Sequence, residues 1–505
     1  MINRIDQFLN AITMYRLVLY GLGILALTAI LLGFFGVLPY HGVHMLGSAV
    51  LLVALCFFAN ILIARLYRIT ANTESSLITG LILFLILTPA ARISEAGLLA
   101  LGALIAMGSK YLLSFHGRHI FNPAAFAAVV LGLMGSPIVA WWVGSTVLLA
   151  VVLIIGLAVV RKVRRFEMFG VFFAASIAVM MVYAVRTQTM ITDALVQSVT
   201  SWPLLFFGTI MLTEPLTTPP TRYLRIRYGL LVGVLFSAQF RIGPLFSTPE
   251  FALIAGNVFS FLVSMKRRVG LRLLERTKLA PGLYEFAFAP SPRVPFQPGQ
   301  YLEWTLPHTH PDRRGIRRYF TIASSPTEEE IKLGVRIGAN PSSFKKALVN
   351  LAPGATLSAC HLAGDFTLPR NAQRKLLCIA GGIGVTPFRS MVQYLIDKGE
   401  KRDMILLYAC ASAIDFAYMD IFEKAREATG LRCIPIVTDP VPVGQDWKGR
   451  QGRIDEAILK EEAPDWQERL FYLSGPSRMV DMYKKLLRGM GVRRRNIVTD
   501  YFPGF

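Results

Sequence analysis

Long apolar segments fill the first half of the chain and are nearly absent after residue 265. A helix of about 20 apolar residues crosses the hydrocarbon core of a bilayer, so this pattern predicts an α-helical polytopic membrane domain. The predicted spans are 17–38, 45–64, 76–91, 95–114, 122–137, 140–160, 168–185, 198–215, 228–242 and 247–265. Proline interrupts two of them, at Pro89 and Pro123. Broken elements of this kind are tolerated where they face protein or a ligand cavity.

The Lys and Arg residues of 1–265 are unevenly distributed between the loops that join the predicted spans. If the N-terminus lies in the cytoplasm, 13 of these 16 residues fall in cytoplasmic segments and 3 in external loops. Cytoplasmic loops of membrane proteins carry an excess of basic residues. We therefore expect an integral protein of the inner (cytoplasmic) membrane with ten spans, and with both termini and everything after residue 265 on the cytoplasmic side.

The second half of the chain has a different periodicity. Apolar and polar residues alternate in short runs separated by Pro and Gly, as in 284–288, 301–304 and 332–336, and this period of two predicts a small antiparallel β-barrel. After Arg370, apolar strands alternate with helical stretches, which predicts a parallel α/β unit. The chain is thus divided into a transmembrane domain at 1–265, a barrel at 266–370 and an α/β domain at 371–505.

Composition and charge agree with this division. Hydrophobic residues make up 53% of the chain and charged residues only 17%, with a net charge of +21. A basic chain is typical of nucleic-acid binding, but long apolar spans predict basic cytoplasmic loops instead, so no nucleic-acid partner is expected. The five cysteines show no Cys-x-x-Cys spacing, which argues against a zinc site, a disulfide framework or an iron–sulfur domain, and no metal site is predicted.

A glycine-rich turn follows the apolar strand at 375–380. The turn and the start of the next predicted helix contain Gly381, Gly382, Gly384, Thr386 and Pro387. Glycines allow a backbone to approach a pyrophosphate, and a helix N-terminus stabilises its negative charge. The same sequence is also compatible with a purely structural turn, because proline favours the first helical position.

Four further motifs occur in order along the second half. They are Arg318-Tyr319-Phe320-Thr321, Asn340-Pro341-Ser342-Ser343-Phe344-Lys345, Ser474-Gly475-Pro476 and the C-terminal Asp500-Tyr501-Phe502-Pro503-Gly504-Phe505. In this order and spacing, they resemble the ferredoxin–NADP reductase family over essentially all of 269–505. The resemblance implies an FAD-binding antiparallel barrel, an α/β domain that binds NADH or NADPH, and an NAD(P)H-dependent flavin oxidoreductase.

The resemblance also implies roles for individual residues. Arg318 matches the arginine that pairs with the FAD pyrophosphate, with Tyr319 beside it in the same cofactor-binding motif. Phe320 matches the aromatic residue packed on the isoalloxazine, and Thr321 the hydroxyl residue near flavin N5. The second diphosphate loop is matched by Ser342, Ser343 and Phe344. The nicotinamide-dinucleotide site is matched by Gly381, Gly382, Gly384, Thr386, Pro387, Ser474, Gly475 and Pro476, and the terminal aromatic that covers the flavin by Phe505.

Two departures from the family pattern fall among the residues expected to be catalytic, which are Thr321, Ser474 and Phe505. Ser474 stands where the family usually has Cys, and Phe505 where the bacterial branch usually ends in Tyr. Hydride transfer survives both changes, because the cofactors supply the redox chemistry. Residues 408–417 carry no basic residue and one acid, Asp415, which favours NADH; NADPH remains open if Arg389 or a distant arginine reaches the site.

Two polar, proline-containing segments of the first half, 119–126 and 207–221, lie at predicted membrane boundaries. With ten spans, they resemble, over about 15–265, a family of polytopic flavin-binding membrane proteins found in the sodium-pumping NADH:quinone oxidoreductase and in the Rnf complex. The resemblance implies that Asn122, Thr213 and Glu214 lie near a flavin. The family's Ser-Gly-Ala-Thr attachment motif is missing from the sequence, so the expected second flavin is non-covalent FMN or riboflavin.

Haem is the competing cofactor of the membrane domain, with His41, His44, His116 and His119 as the available histidines. The favoured hypothesis is a membrane-bound flavoprotein that takes a hydride from NADH onto FAD and passes electrons to a quinone or to an extracytoplasmic acceptor such as a flavoprotein. Two alternatives stay open. The protein is either a redox-driven ion transporter or a membrane-anchored reductase of a soluble electron carrier.

Overall fold

The computed structural model describes residues 9, 12–67, 72–115, 118–243, 245–265, 268–312, 315–439, 447 and 449–500. The chain divides into two compact units between residues 266 and 267. The N-terminal unit is helical, with two short hairpins. The C-terminal unit contains an antiparallel sheet followed by a parallel sheet flanked by helices.

The helices of the N-terminal unit account for most of its described residues. They are α1 (Met14–Phe34), α2 (Gly42–Leu66), α3 (Thr73–Ile86), α4 (Ile93–Leu112), α5 (Pro123–Leu133), α6 (Leu149–Val163), α7 (Phe166–Arg186), α8 (Ile191–Thr200), α9 (Leu204–Phe206), α10 (Arg222–Ser237) and α11 (Pro249–Val263). A π-helical turn, Phe207–Met211, continues α9. The hairpins are β1 (Ser114–Phe115) with β2 (Arg118–His119), and β3 (Arg241–Ile242) with β4 (Leu245–Phe246).

Five helices in the described ranges are long and apolar enough to cross a membrane, whereas the hydropathy pattern predicts ten spans. They are α1, α2, α4, α7 and the helix Thr146–Val163 that contains α6. A sixth is counted if α8 and the helix Leu204–Met211, bent by 58°, form one span. Helices α3, α5, α10 and α11 fall on the other predicted segments but have only 11 to 16 residues. At a rise of about 1.5 Å per residue, they are shorter than a bilayer core.

The short helix α3 ends where the sequence predicts a break, next to Pro89. The chain after α3 is extended and pairs with the chain after α5: the Thr88 N–H donates to the Ile138 carbonyl at 2.8 Å, and the Ala140 N–H donates to the Ile86 carbonyl at 3.0 Å. The Trp142 indole N–H adds hydrogen bonds to the carbonyls of Phe84 and Leu87, both at 2.9 Å. These contacts satisfy backbone groups that would be costly to leave unpaired inside an apolar unit.

Helices α7 and α10 approach each other closely through two glycines of α10 spaced four residues apart. A Cβ atom on Gly229 would lie 2.6 Å from the carbonyl oxygen of Met168, and one on Gly233 would lie 2.6 Å from that of Phe172. Small residues at this spacing let two helix backbones come together in an apolar environment, where dispersion contacts drive association. Phe172 fills the space beside the contact and is fully buried.

A six-stranded antiparallel sheet lies where the sequence predicts the barrel, with strand order β8-β7-β10-β5-β6-β9. Its strands are β5 (Val269–Ala280), β6 (Leu283–Ser291), β7 (Tyr301–Thr305), β8 (Arg317–Thr321), β9 (Ile331–Arg336) and β10 (Thr356–Ala363). Alternate residues point to opposite faces, and buried Phe286, Phe288 and Trp304 fill the inner one. One short helix, α12 (Ser343–Val349), lies between β9 and β10.

The parallel sheet has the strand order β14-β13-β12-β11-β15-β16. Its strands are β11 (Leu376–Gly381), β12 (Met404–Cys410), β13 (Arg432–Val437), β14 (Arg450–Gln451), β15 (Leu470–Ser474) and β16 (Ile497–Thr499), and its helices are α13 (Thr386–Lys398), α14 (Met419–Thr429), α15 (Glu456–Glu462) and α16 (Ser477–Gly489). The predicted strands fall on β11, β12, β13 and β15. The edge strands β14 and β16 were not predicted, because two or three residues give no readable periodicity.

We predict that Gly233→Leu destabilises the N-terminal unit, because the new side chain forces α10 away from α7. Overpacking of this kind costs about 1–3 kcal/mol, and the midpoint of thermal unfolding of the purified full-length protein should fall. Gly170→Leu on α7 is the matched control, since no atom lies within 4 Å of a Cβ at that position. Equal midpoints for the two variants would contradict the importance of the close approach.

Candidate functional site

A crevice opens at the carboxyl end of the parallel sheet, between β11 and β15. The chain runs from β11 to one side of the sheet through β12, while β15 pairs on the other side of β11. Open α/β sheets bind their ligands at such a point, where the strand order reverses. The predicted nucleotide residues lie on the two turns that border the crevice.

The two turns touch each other backbone to backbone. A Cβ atom on Gly384, in the turn after β11, would lie 2.6 Å from the Cα and N atoms of Gly475 and from the carbonyl oxygen of Ser474, in the turn after β15. Gly382 has φ +52° and Gly475 φ +154°, in the region that favours glycine. Three of the predicted glycines are therefore required by sterics and not only compatible with a turn.

Helix α13 begins directly at the first turn. Gly381 ends β11, a 3₁₀ turn spans Gly382–Val385, and α13 starts at Thr386 with Pro387 in its first turn. The Thr386 hydroxyl donates to the Ile383 carbonyl at 3.2 Å. The strand–turn–helix arrangement predicted from the sequence is present, and it directs the N-terminal N–H groups of α13 toward the crevice.

The predicted FAD strand is β8, which carries the Arg318 motif. Arg318 Nη2 contacts both carboxylate oxygens of Asp312, at 2.8 and 2.9 Å. The rings of Phe320 and Phe344 are 5.8 Å apart, and Tyr319 stacks edge-on against Tyr301 at 5.6 Å. The structure thus places the predicted strand residue Phe320 beside the predicted loop residue Phe344, although 24 positions separate them in the chain.

Ser342 and Ser343 lie at the start of α12. The Ser342 hydroxyl accepts a hydrogen bond from the Lys345 N–H at 3.4 Å and caps the helix. The Ser343 hydroxyl accepts from the Asp312 N–H at 2.9 Å and lies 3.0 Å from His308 Nε2. Ser343 is therefore bound to the segment just before the FAD strand, which joins the two predicted diphosphate-binding elements.

A carboxylate that the sequence did not single out connects the two predicted catalytic hydroxyl residues. Asp500 Oδ2 accepts hydrogen bonds from Thr321 Oγ1 at 3.4 Å and from Ser474 Oγ at 3.3 Å. Thr321 ends β8 and Ser474 ends β15, and both are buried. Asp500 follows the unpredicted edge strand β16; as the first residue of the C-terminal motif, it was available to find but carried no periodicity. Phe505 lies outside the described residues.

Two arginines that could have served a 2′-phosphate are paired with carboxylates. Arg389 is buried, contacts Glu328 through both Nη atoms and donates to the Ala323 carbonyl at 3.2 Å. Burial opposes ionisation of Glu328, but the hydrogen bond and charge of Arg389 outweigh it and hold the pKa of Glu328 below its usual range. Arg336 of β9 forms an ion pair with Asp415. The alternative that Arg389 reaches the nucleotide is therefore disfavoured.

In the N-terminal unit, two of the three predicted residues join one polar cluster. Glu214 accepts from Asn122 Nδ2 at 2.9 Å and from Thr217 Oγ1 at 3.1 Å, and its other oxygen lies 3.3 Å from His119 Nε2. Thr213 instead donates to the Thr209 carbonyl at 2.7 Å. Asn122, Thr213 and Glu214 nevertheless line one cavity of this unit.

The cluster continues into α11 and α10. The Asn122 N–H donates to Asn257 Oδ1 at 2.8 Å, and Asn257 Nδ2 donates to the Tyr228 hydroxyl at 3.4 Å. The sequence pattern did not indicate Asn257 and Tyr228, because each is a single polar residue within an apolar helix. Such residues in apolar helical units are usually kept for function.

The histidines proposed as haem ligands do not converge in the described part of the chain. His41 caps α2 by accepting from the Val43 N–H at 3.3 Å, and His44 lies next to it with ring centroids 5.9 Å apart. His119 belongs to the Glu214 cluster. His116 lies outside the described residues. Within those residues, no three His, Cys, Asp or Glu side chains are grouped to hold a metal ion.

Comparisons with known proteins identify the C-terminal unit. Residues 378–485 match the family model of the oxidoreductase NAD-binding domain. The chain is 26% identical over 225 residues to the stachydrine N-demethylase reductase subunit Stc4 of Rhizobium meliloti, covering 44% of this chain and 63% of that protein. It is 27% identical over 198 residues to the glycine betaine monooxygenase reductase subunit of Pseudomonas aeruginosa, covering 39% and 53%.

One similar solved structure is the Amycolatopsis cytochrome P450 reductase GcoB, with a TM-score of 0.42 and 24% identity over 47% of this chain and 70% of that one. The chain spans about half to two thirds of the length of the curated relatives named above. The predicted ferredoxin-reductase-like module in the C-terminal half, with its NAD-binding domain, is confirmed, and its assignment to the NAD(P)H-dependent flavin oxidoreductases is supported. The resemblance predicted for the N-terminal half stays a prediction.

We predict that Gly384→Ala weakens NADH binding by about tenfold, because a Cβ there forces apart the two turns of the crevice at a cost of about 1–3 kcal/mol. The measurement is the KM for NADH with ferricyanide as acceptor. Gly338→Ala is the control, since no atom lies within 4 Å of a Cβ at that position. An unchanged KM for Gly384→Ala would show that the turns tolerate separation and do not form the binding site.

Proposed function

We propose that this protein is a membrane-bound flavoprotein oxidoreductase that oxidises NAD(P)H at its C-terminal unit and passes the electrons through its N-terminal unit to a quinone or to an extracytoplasmic acceptor. One observation carries the proposal. Asp500 holds Thr321, at the end of the predicted FAD strand, and Ser474, at the nucleotide crevice, within hydrogen-bond distance of a single carboxylate oxygen. This places a predicted flavin-side residue next to a predicted nicotinamide-side residue.

The residues of the antiparallel sheet fit an FAD. A planar arginine fork at Arg318 suits a diphosphate, the Ser343 N–H supplies a further donor close by, and Phe320 offers an aromatic face for a ring system. When bound, FAD accepts a hydride and releases electrons singly. The residues of this chain bind and orient it: Arg318 and Ser343 fix the diphosphate, and Thr321 positions a hydroxyl at the reacting end of the flavin.

NADH is the favoured substrate over NADPH. A 2′-phosphate needs a basic residue beyond the second parallel strand, and the charged residue there is Asp415, which would repel it. The nearby Arg336 already neutralises Asp415, and Arg389 is engaged by Glu328. Neither arginine can bind a phosphate without leaving a carboxylate unpaired in a partly buried position.

The relatives support an electron acceptor beyond the flavin, since two of them are named as reductase subunits of a demethylase and a monooxygenase. For this chain, the N-terminal unit is the proposed recipient, because its long apolar helices suit a bilayer and its basic residues predict a cytoplasmic C-terminal unit. The cavity beside Asn122 and Glu214 offers both donors and acceptors to a planar ring. We propose that it holds a second, non-covalent flavin (FMN or riboflavin) or a quinone head.

Redox-driven ion transport is the second candidate function, and two buried or partly buried carboxylates favour it. Glu214 belongs to the polar cluster, and Glu250 of α11, which is 5% exposed, accepts from the Trp141 indole N–H at 2.8 Å. Ionisable residues inside apolar helical units mark ion and proton paths more often than structure alone. Turnover that requires sodium would favour this candidate over simple electron transfer.

The first test is Arg318→Ala in the purified, detergent-solubilised protein. Losing a charged donor to the diphosphate should weaken FAD binding about a hundredfold, so flavin content and NADH oxidation should fall together. Arg317→Ala removes the same charge from the same strand and should retain both. Normal FAD content in Arg318→Ala would remove the FAD assignment, and a haem band in the visible spectrum of the wild-type protein would overturn the flavin hypothesis for the N-terminal unit.

The second test separates the two units with Glu214→Gln. We expect quinone reduction to fall about tenfold, the loss of one charge-assisted interaction, while NADH oxidation with ferricyanide is unchanged. Glu95→Gln is the control, because Glu95 lies at the start of α4, away from the cavity. If a fragment limited to 266–505 reduces the physiological acceptor as fast as the full chain, the N-terminal unit is only an anchor.

A further inference from the structure

Asp312 belongs to none of the sequence motifs, yet it binds both groups proposed to hold the FAD diphosphate. Its two carboxylate oxygens lie 2.8 and 2.9 Å from Nη2 of Arg318. The Arg318 side chain is 11% exposed, whereas that of Asp312 is 30% exposed. The guanidinium is thus fixed in the protein, and the carboxylate is the partner with access to solvent.

The same carboxylate also reaches the loop before α12. The Ser343 N–H donates to Asp312 Oδ2 at 3.3 Å, and the Asp312 N–H donates to the Ser343 hydroxyl at 2.9 Å. His308 Nε2 lies 3.0 Å from that hydroxyl and helps to fix it. One carboxylate therefore bridges a strand donor and a loop donor that are 25 positions apart in the chain.

We infer that the Asp312 carboxylate competes with the diphosphate of FAD for Arg318 and for the Ser343 N–H, and that Asp312 thereby sets the affinity of the protein for this cofactor. The inference rests on the proposed function, which assigns these two donors to FAD. An arginine fork binds carboxylate and phosphate oxygens in the same geometry, and a backbone N–H serves one strong acceptor at a time.

Charge gives the direction of the effect. A diphosphate placed at Arg318 would be close to the Asp312 carboxylate, and two anions on one guanidinium repel each other in a partly buried site. Because Asp312 is the more exposed partner, it is the side chain that turns away when a diphosphate binds. Its hydrogen bonds to Arg318 are then lost, and this loss is subtracted from the binding free energy of FAD.

The test is Asp312→Asn in the full-length protein, freed of flavin and titrated with FAD while protein-induced quenching of flavin fluorescence is followed. The amide keeps the shape of the side chain and removes its charge, so the Kd for FAD should fall five- to tenfold. Glu329→Gln is the matched control: Glu329 is a carboxylate in the turn before β9 of the same antiparallel-sheet region, and its removal should leave the Kd within twofold of wild type.

Thermal unfolding gives a second readout that does not depend on turnover. Competition predicts that Asp312→Asn lowers the unfolding midpoint without FAD, since Arg318 loses its ion pair, and that saturating FAD raises this midpoint more than that of the wild type. A merely structural ion pair would lower the midpoint equally with and without FAD. Asp312→Ser provides the same comparison if the asparagine variant does not fold.

The outcomes separate the inference from the function on which it rests. If the wild-type protein binds no FAD, the proposed function fails. If the wild type binds FAD and Asp312→Asn binds it equally or more weakly, the proposed function stands and the competition is wrong, because Asp312 would then orient Arg318 for the cofactor.

Discussion

The close approach of two turns at the carboxyl end of the parallel sheet is the constraint on which the C-terminal unit depends. Gly384 and Gly475 let the turn after β11 contact the turn after β15 without side chains between them. Because β15 is paired beside β11, this contact fixes Ser474 at the mouth of the crevice. Asp500, just beyond β16, then connects Ser474 to Thr321 at the end of β8. The nucleotide crevice and the predicted flavin strand are thus joined by one short series of contacts.

The N-terminal unit solves a different physical problem. Its short helices α3 and α5 end within an apolar interior, where every free backbone group is costly. The extended segments that follow them pair with each other, and Trp142 satisfies two further carbonyls. The π-helical turn before Thr213 and Glu214 is a second irregularity, of a kind often found at functional sites. The irregular backbone and the polar cluster around Glu214 therefore belong to the same part of the chain that lines the cavity.

Local pattern was sufficient for most of the C-terminal unit, because its information is local. The alternation of 284–288 predicts β6, and the strand, glycines and proline at 376–387 predict β11, its turn and α13. Hydropathy was less informative in the first half, because an extended apolar segment such as 86–90 has the composition of a helix and extends the predicted span. Asp312 and Asp500 could not be assigned roles for a related reason: their partners lie elsewhere in the sequence, and no spacing rule links Asp500 to Thr321.

The buried pair of Arg389 and Glu328 has a consequence for how such modules can be recombined. Arg389 belongs to α13 of the parallel-sheet domain, and Glu328 to the turn before β9 of the antiparallel sheet. A chimera that replaced one domain with that of a relative lacking the matching charge would leave the other residue buried and uncompensated, at a cost of about 3–5 kcal/mol. The two domains are therefore interchangeable only as a matched pair, and this single contact restricts which reductase modules can be exchanged by fusion.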